Sequence, residues 1–277
     1  MLTTEQKLKR MQGLGASDSA IHMGYSKFMT PYELYLQKTG LIEQDFEESE
    51  LQYWGNKLEK VIAERFEEDN NVKVTFPDTI YHDEHKFIFA NLDGFIESEN
   101  AVLEIKNVNS FMRKEWDFAL EDGIPMPYLI QVAKQCLITN ADKGYIAVLI
   151  GGMEYMQFEY KRDPELEQLI LNADIKFWHC VENRIEPEPV TLADCKMKYK
   201  EAIADKSVQC TFRVESMLCQ LQNIKSNIKQ LTKKENDYKM KICDFIKDAE
   251  YLVSQDGEIL ATWKANKKGT RILNIKG

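Results

Sequence analysis

Two carboxylates and a lysine stand at a spacing that suits phosphate chemistry: Asp93 in Asn91-Leu92-Asp93-Gly94, ten intervening residues, then Glu104-Ile105-Lys106. Side chains alternate faces along a strand, so Glu104 and Lys106 share one face while Leu103 and Ile105 point to the other. If the two segments are neighbouring strands, Asp93 falls beside Glu104. Carboxylates this close raise one another's pKa unless a cation neutralises them, and hard oxygen ligands suit Mg²⁺ or Mn²⁺. Such an ion would hold a scissile phosphate, with Lys106 orienting or deprotonating the attacking water. The competing reading is a surface hairpin with Glu and Lys on its wet face. The apolar flanks Phe89, Ala90, Leu92, Val102, Leu103 and Ile105 favour a phosphodiesterase site.

Other residues point the same way with less force. Glu59 shares a helical row with Leu51, Gly55, Ile62 and Phe66, which puts it on a core-facing flank; a surface Glu paired with a Lys is an equal reading of the helix alone. Gln131 and Gln135 lie one helical turn apart, where an inward amide would bind water or a phosphate oxygen. Gly13, Gly15, Ala16 and Ser17 before Ala20-Ile21 read as a tight turn into a helix N-terminus, which attracts phosphate, or as a Ser N-cap. His82 and His85 have ligand-like spacing but no companions and read as loop. There is no Gly-Lys-Ser/Thr phosphate loop and no Gly-x-Ser-x-Gly elbow, which argues against an ATPase or a serine hydrolase.

The elements that must position these residues are legible from periodicity. A helix is expected from Pro31 to Lys38, and a longer one from Leu51 to Asp69 with Leu51, Trp54, Leu58, Val61, Ile62 and Phe66 as its apolar stripe. Strands follow over 86–92, 94–97 and 101–108. A helix over 128–140 leads to strands over 145–150 and 154–160, then to a helix from Pro164 to about Asn183. Helices flanking a mixed sheet make an α/β (α+β) core. Later, Leu221, Ile224, Ile228, Leu231, Tyr238, Ile242 and Phe245 form a heptad-like stripe interrupted by Glu235. It predicts a helix from Arg213 to Lys247 that packs on its own domain, followed by a closing β-hairpin around Asp256-Gly257. The expected domains are 1–208 and an appendage over 209–277.

The chain has 277 residues and a net charge of −9, divided between −16 in residues 1–195 and +7 in 196–277. Total charge argues against a nucleic-acid partner, but binding follows local patches. Lys264, Lys267, Lys268, Arg271 and Lys276 fit either a DNA backbone or a solvated tail. The 44% hydrophobic, 29% charged composition is that of a globular chain. No apolar run is long enough to span a membrane, and residues 1–10 lack the pattern of a secretory signal. A cytoplasmic protein is expected. Six scattered cysteines match neither a zinc ribbon nor an iron–sulfur cluster and read as reduced thiols.

Four blocks in order resemble the λ-exonuclease-like nucleases, the YqaJ-type viral recombinases of the PD-(D/E)xK superfamily. They are Arg10 with Gly15-Ala16-Ser17-Asp18, Trp54 to Glu59, Leu92-Asp93-Gly94 with Glu104-Ile105-Lys106, and Gln131 within Tyr128 to Val132. The resemblance covers roughly residues 8–163. It implies a PD-(D/E)xK restriction-endonuclease-like core with two Mg²⁺ (or Mn²⁺) ions held by Asp93, Glu104, the Ile105 carbonyl and Glu59. Lys106 and Gln131 then act on the water, and Arg10 and Ser17, with Lys27 as a third member, hold the 5′-phosphate. Asn91 departs from the small hydroxyl residue or Pro often seen before the Asp.

The reaction so implied is 5′→3′ exonuclease digestion of double-stranded DNA ends to 5′-mononucleotides, leaving 3′ overhangs for phage-type recombination by strand annealing. A ring-shaped homo-oligomer such as a trimer and a single-strand annealing protein as partner come with it. The alternatives are an endonuclease of the same superfamily, for repair or restriction, and a catalytically inactive DNA-binding or assembly protein.

Overall fold

The computed structural model describes residues 11–42 and 49–276, and their side chains except those of 118–122. The chain divides into two units, Met1–Glu201 and Ala202–Gly277. In chain order the first holds helices α1 (Ala16–His22), α2 (Pro31–Lys38) and α3 (Glu50–Asn70), then short strands β1 (Ile80–Tyr81) and β2 (Phe89–Ala90). Strands β3 (Gly94–Ile96) and β4 (Ala101–Val108) follow, then helices α4 (Arg113–Asp122) and α5 (Met126–Thr139). Strands β5 (Lys143–Ile150) and β6 (Glu154–Lys161) and helices α6 (Pro164–Glu182) and α7 (Leu192–Lys198) complete it.

One sheet of order β3-β4-β5-β6 organises the unit. Strand β4 runs antiparallel to β3 and parallel to β5, and β6 closes the sheet as an antiparallel hairpin partner of β5. Alternation along β4 sorts its side chains between two cores. Ala101, Leu103 and Ile105 pack with Ala147 against Ile62, Ala63 and Phe66 of α3. Val102 packs with Ile146 and Val148 against Ile130, Val132 and Ala133 of α5. A buried Phe or Ile of this kind contributes roughly 1.5–3 kcal/mol, so both helices are fixed on the sheet by area. Gly144 lets α5 come close: a Cβ there would lie 2.4 Å from Val132 Cγ2.

The expected strand over 86–92 is mostly absent. Only Phe89–Ala90 pairs, with Ile80–Tyr81, because the N-terminal segment takes the neighbouring backbone groups: Leu14 N–H donates to the Phe87 carbonyl and Phe89 N–H to the Leu14 carbonyl. Gly13 makes this approach possible, since a Cβ on it would sit 2.3 Å from the Phe87 oxygen. Helices α4 and α7 were not apparent in the periodicity. The first half of the α3 stripe does not reach the core either, as Leu51, Trp54 and Val61 are exposed and Ile62, Ala63 and Phe66 are buried.

The second unit holds a 35-residue helix α8 (Phe212–Ile246) and strands β7 (Tyr251–Val253), β8 (Ile259–Ala265) and β9 (Arg271–Ile275). The expected hairpin is therefore a three-stranded antiparallel meander. Its third strand contains Arg271, whose guanidinium donates to the carbonyls of Trp263, Lys247 and Ala249, so this arginine is structural and no part of a solvated tail. The apolar stripe of α8 is not packed away: Leu221, Ile224, Ile228 and Leu231 are exposed, and of the whole helix only Ile246 is buried. Among the described residues no helix is long and apolar enough to cross a membrane.

Candidate active site

The antiparallel register Gly94–Leu103 puts the next residue of each segment opposite the other, so Asp93 stands against Glu104. Asp93 Oδ2 accepts the Ile105 N–H at 2.9 Å, which fixes the carboxyl at the edge of β4. Glu104 is 1% exposed, and three side chains hold it. Lys106 Nζ lies 2.5 Å from Oε1. Gln131 donates to the same oxygen at 2.6 Å, and Gln135 donates to Oε2 at 2.6 Å. Gln131 Oε1 in turn accepts from Lys106 at 3.2 Å. The two glutamines sit one turn apart on α5, whose close packing on β4 and β5 aims both amides at the strand.

Electrostatics follow from this crowding. Burial, then the Glu104 charge, raise the Asp93 carboxyl well above its ordinary range, against the opposing pull of Lys106. Burial and then Glu104 also raise Glu59, which places it within the field of the same pair. Burial alone would lower the Lys106 ammonium, but Glu104 and Asp93 outweigh it and raise its pKa, so Lys106 keeps its proton. Its Nζ also lies 5.5 Å from the centroid of the Tyr128 ring, and Trp116 stacks on that ring at 5.0 Å. Asn91 is engaged elsewhere, accepting from the Thr79 hydroxyl at 2.7 Å.

Among the described residues no three His, Cys, Asp or Glu side chains are gathered as a closed metal-binding cluster. Glu104 is occupied by one ammonium and two amides. The donor chemistry nevertheless fits a hard divalent cation, because Asp93, Glu59 and Glu104 are oxygen donors, and burial followed by the charge of Glu104 shifts the first two upward.

A second polar cluster supports the Gly13-to-Ser17 turn. Gly15, not Ser17, is the N-cap of α1, and its N–H donates to Asp18 Oδ2 at 2.9 Å. Ser17 is therefore released from capping and is exposed. Behind it, the fully buried Lys134 of α5 donates to the carbonyls of Leu14 and Gly15 and to the Ser19 hydroxyl. Its ammonium also lies 2.7 Å from Asp174 Oδ2 as a buried ion pair. Asp174 Oδ1 is shared by Ser19 at 2.6 Å and His22 at 2.7 Å. Lys27, with its side chain 67% exposed, pairs with Glu115, and both charges act on the Tyr128 hydroxyl. Arg10 lies outside the described residues.

The structure thus brings Asp93, Glu104, Lys106 and Gln131 into one set, with Glu59 in its field. The helix pattern offers Gln135 beside Gln131 without saying which amide points inward, and it gives no signal for Lys134 beyond the three polar side chains that residues 130–136 carry in an otherwise apolar run.

Known proteins share this fold. A solved alkaline exonuclease, LHK-Exo from Laribacter hongkongensis, superposes with a TM-score of 0.55 at 22% identity, covering 66% of this chain and 95% of that one. Its complex with dAMP superposes with a TM-score of 0.54 at 21% identity, over 71% and 98% of the two chains. The shared architecture is a central mixed sheet flanked by helices. Residues 7–142 match the YqaJ-like viral recombinase domain. A relative from Bacillus subtilis (strain 168), named Uncharacterized protein YqaJ, is 33% identical over 275 residues, 95% of this chain and 84% of its own. With that identity over nearly its full length, the chain belongs to the YqaJ-like viral recombinase family.

Proposed function

We propose that this chain is a metal-dependent nuclease that degrades double-stranded DNA ends 5′→3′ to mononucleotides. The 3′ overhangs it leaves would serve recombination by strand annealing. The observation that carries the reading is the convergence of Asp93, Glu104, Lys106 and Gln131 at strand β4. The similar fold of an alkaline exonuclease, also determined with dAMP, supports the same reaction class. We assign the chemistry to the first unit.

Asp93 and Glu104, with the Ile105 carbonyl and Glu59, would hold Mg²⁺ or Mn²⁺. Such an ion would supply Lewis-acid stabilisation of the phosphate and would lower the pKa of the attacking water. Lys106 keeps its proton beside Glu104 and so contributes positive charge where the phosphate gains negative charge. Gln131 binds Lys106 through its carbonyl and Glu104 through its amide, which aligns the two groups. Tyr128 supports the lysine from the side. Ser17, free of capping duty at the start of α1, is assigned with Arg10 and Lys27 to the 5′-phosphate. A ring of identical chains and a separate annealing protein belong to the same proposal.

The test is digestion of a linear duplex labelled on one strand, with 5′-phosphate or 5′-hydroxyl ends, in Mg²⁺ or in chelator. Wild type should release mononucleotides from the phosphorylated strand only with metal, and Lys106→Ala should not. Cutting of a closed circular duplex would replace the exonuclease by an endonuclease. DNA binding without any degradation would make the chain a binding protein.

A further inference from the structure

The apolar stripe of α8 extends back to Val214 and Met217, so alternate steps of three and four residues keep their register to Phe245, with Glu235 as the one polar residue in the row. This is a period of 3.5, the spacing of a coiled-coil seam and not that of a helix face on a globular core. The seam is exposed from Val214 to Tyr238 and at Phe245, with Ile242 half-buried: Ile228 and Leu231 are 57% and 64% accessible. At ~1.5 Å per residue a 35-residue helix presents it over about 50 Å.

The flanks decide what covers the seam. In heptad terms the positions beside it carry Arg213, Lys225, Lys234, Lys239 and Lys241 and no acidic residue. A parallel second copy would set Lys234 against Lys239 and bury Glu235 against Glu235. An antiparallel one would pair basic flank with basic flank and set Glu235 against an apolar position. Both arrangements juxtapose like charge, which is destabilising in coiled coils. DNA would satisfy the lysines but leave the seam wet, and a phosphate backbone has no counterpart to a 3.5-residue apolar repeat. Lys239 is already held by Glu235 at 2.6 Å on the helix surface, so an incoming acidic side chain replaces or shares that partner.

We propose that α8 is one strand of a heteromeric coiled coil whose other strand is an amphipathic helix of a different protein. That helix carries acidic residues at the flanking positions and a basic residue facing Glu235. The inference is independent of the nuclease reading, since it uses only residues of the second unit.

The probes are two synthetic 35-residue helices with Leu and Ile at the seam, one flanked by Glu with a Lys facing Glu235, the other flanked by Lys. Binding to the full-length protein is followed by fluorescence anisotropy at near-physiological salt. The acidic peptide should bind at one per chain and at least about tenfold more tightly than the basic one, through several flanking pairs acting together. Ile228→Glu, at an exposed position, should abolish binding. Reversal of Lys225, Lys234, Lys239 and Lys241 to Glu should invert the preference. Equal binding of both peptides overturns the proposal. So does a free-protein mass in sedimentation equilibrium that falls on Ile228→Glu, which gives the seam to a second copy. Competition by duplex DNA that depends on the lysines but not on Ile228 gives it to nucleic acid and overturns the proposal as well.

Discussion

Substitution Lys134→Met removes an ammonium that is fully buried and paired with Asp174, itself 1% exposed. Methionine keeps the length and the apolar stem, so the change isolates the charge. Three carbonyl or hydroxyl acceptors lose their donor, at Leu14, Gly15 and Ser19, and Asp174 keeps its charge without a cation. Breaking a buried pair from one side costs roughly 3–5 kcal/mol because the remaining charge is left uncompensated. For a chain of this size about 1 kcal/mol moves Tm by roughly 2–4 °C, so a fall of about 6–20 °C is expected. The pH dependence identifies the cause. Burial would raise Asp174, but Lys134 foremost, and then His22, lower it below its ordinary value. A lowered carboxylate contributes stability above its unfolded pKa that is lost as pH falls through the folded one. In Lys134→Met this contribution is gone, so the deficit is full at neutral pH and shrinks as acid protonates Asp174 in both proteins. Chemical denaturation from pH 3 to pH 8 measures it. A deficit under about 1 kcal/mol at neutral pH, or one that grows in acid, refutes the reasoning.

Asp93→Asn should abolish digestion yet stabilise the metal-free protein at neutral pH. Burial and Glu104 raise the native carboxyl, so between 3.8 and its native value the folded state holds a proton that the unfolded state releases, and wild-type stability falls as pH rises through that window. Denaturation in chelator checks this, and a variant less stable than wild type at pH 7 contradicts it. Gln135→Leu removes the amide on Glu104 Oε2 and should lower kcat by about tenfold with KM unchanged, while weakening Mn²⁺ binding read by paramagnetic resonance. Unchanged Mn²⁺ affinity and kcat would remove Gln135 from the site. Gly144→Ala places a methyl 2.4 Å from Val132 Cγ2 and should cost about 1–3 kcal/mol by overpacking; an unshifted Tm would show that α5 yields freely.

The sequence by itself determined the helices that end at clear signals, such as Pro31–Lys38 with its Thr30 capping box, and the alternation that puts Glu104 and Lys106 on one face of β4. These are local properties, written in period and punctuation. It also carried the candidate set of Asp93, Glu104, Lys106 and Gln131, because chemistry-bearing residue types at strand and helix spacing are visible without coordinates. Tertiary structure decided which partners those residues meet. That Gln135 takes the second oxygen of Glu104, and that Lys134 anchors the turn before Ser17, depends on how α5 lies across the sheet, a distance set by Gly144 and unreadable from one helix. The conversion of the 86–92 strand into a seat for Leu14 likewise rests on contacts more than seventy residues apart. The α8 seam shows the complement: its period was written in the chain, but only the fold left it uncovered, because burial is a property of what surrounds a helix and not of the helix itself.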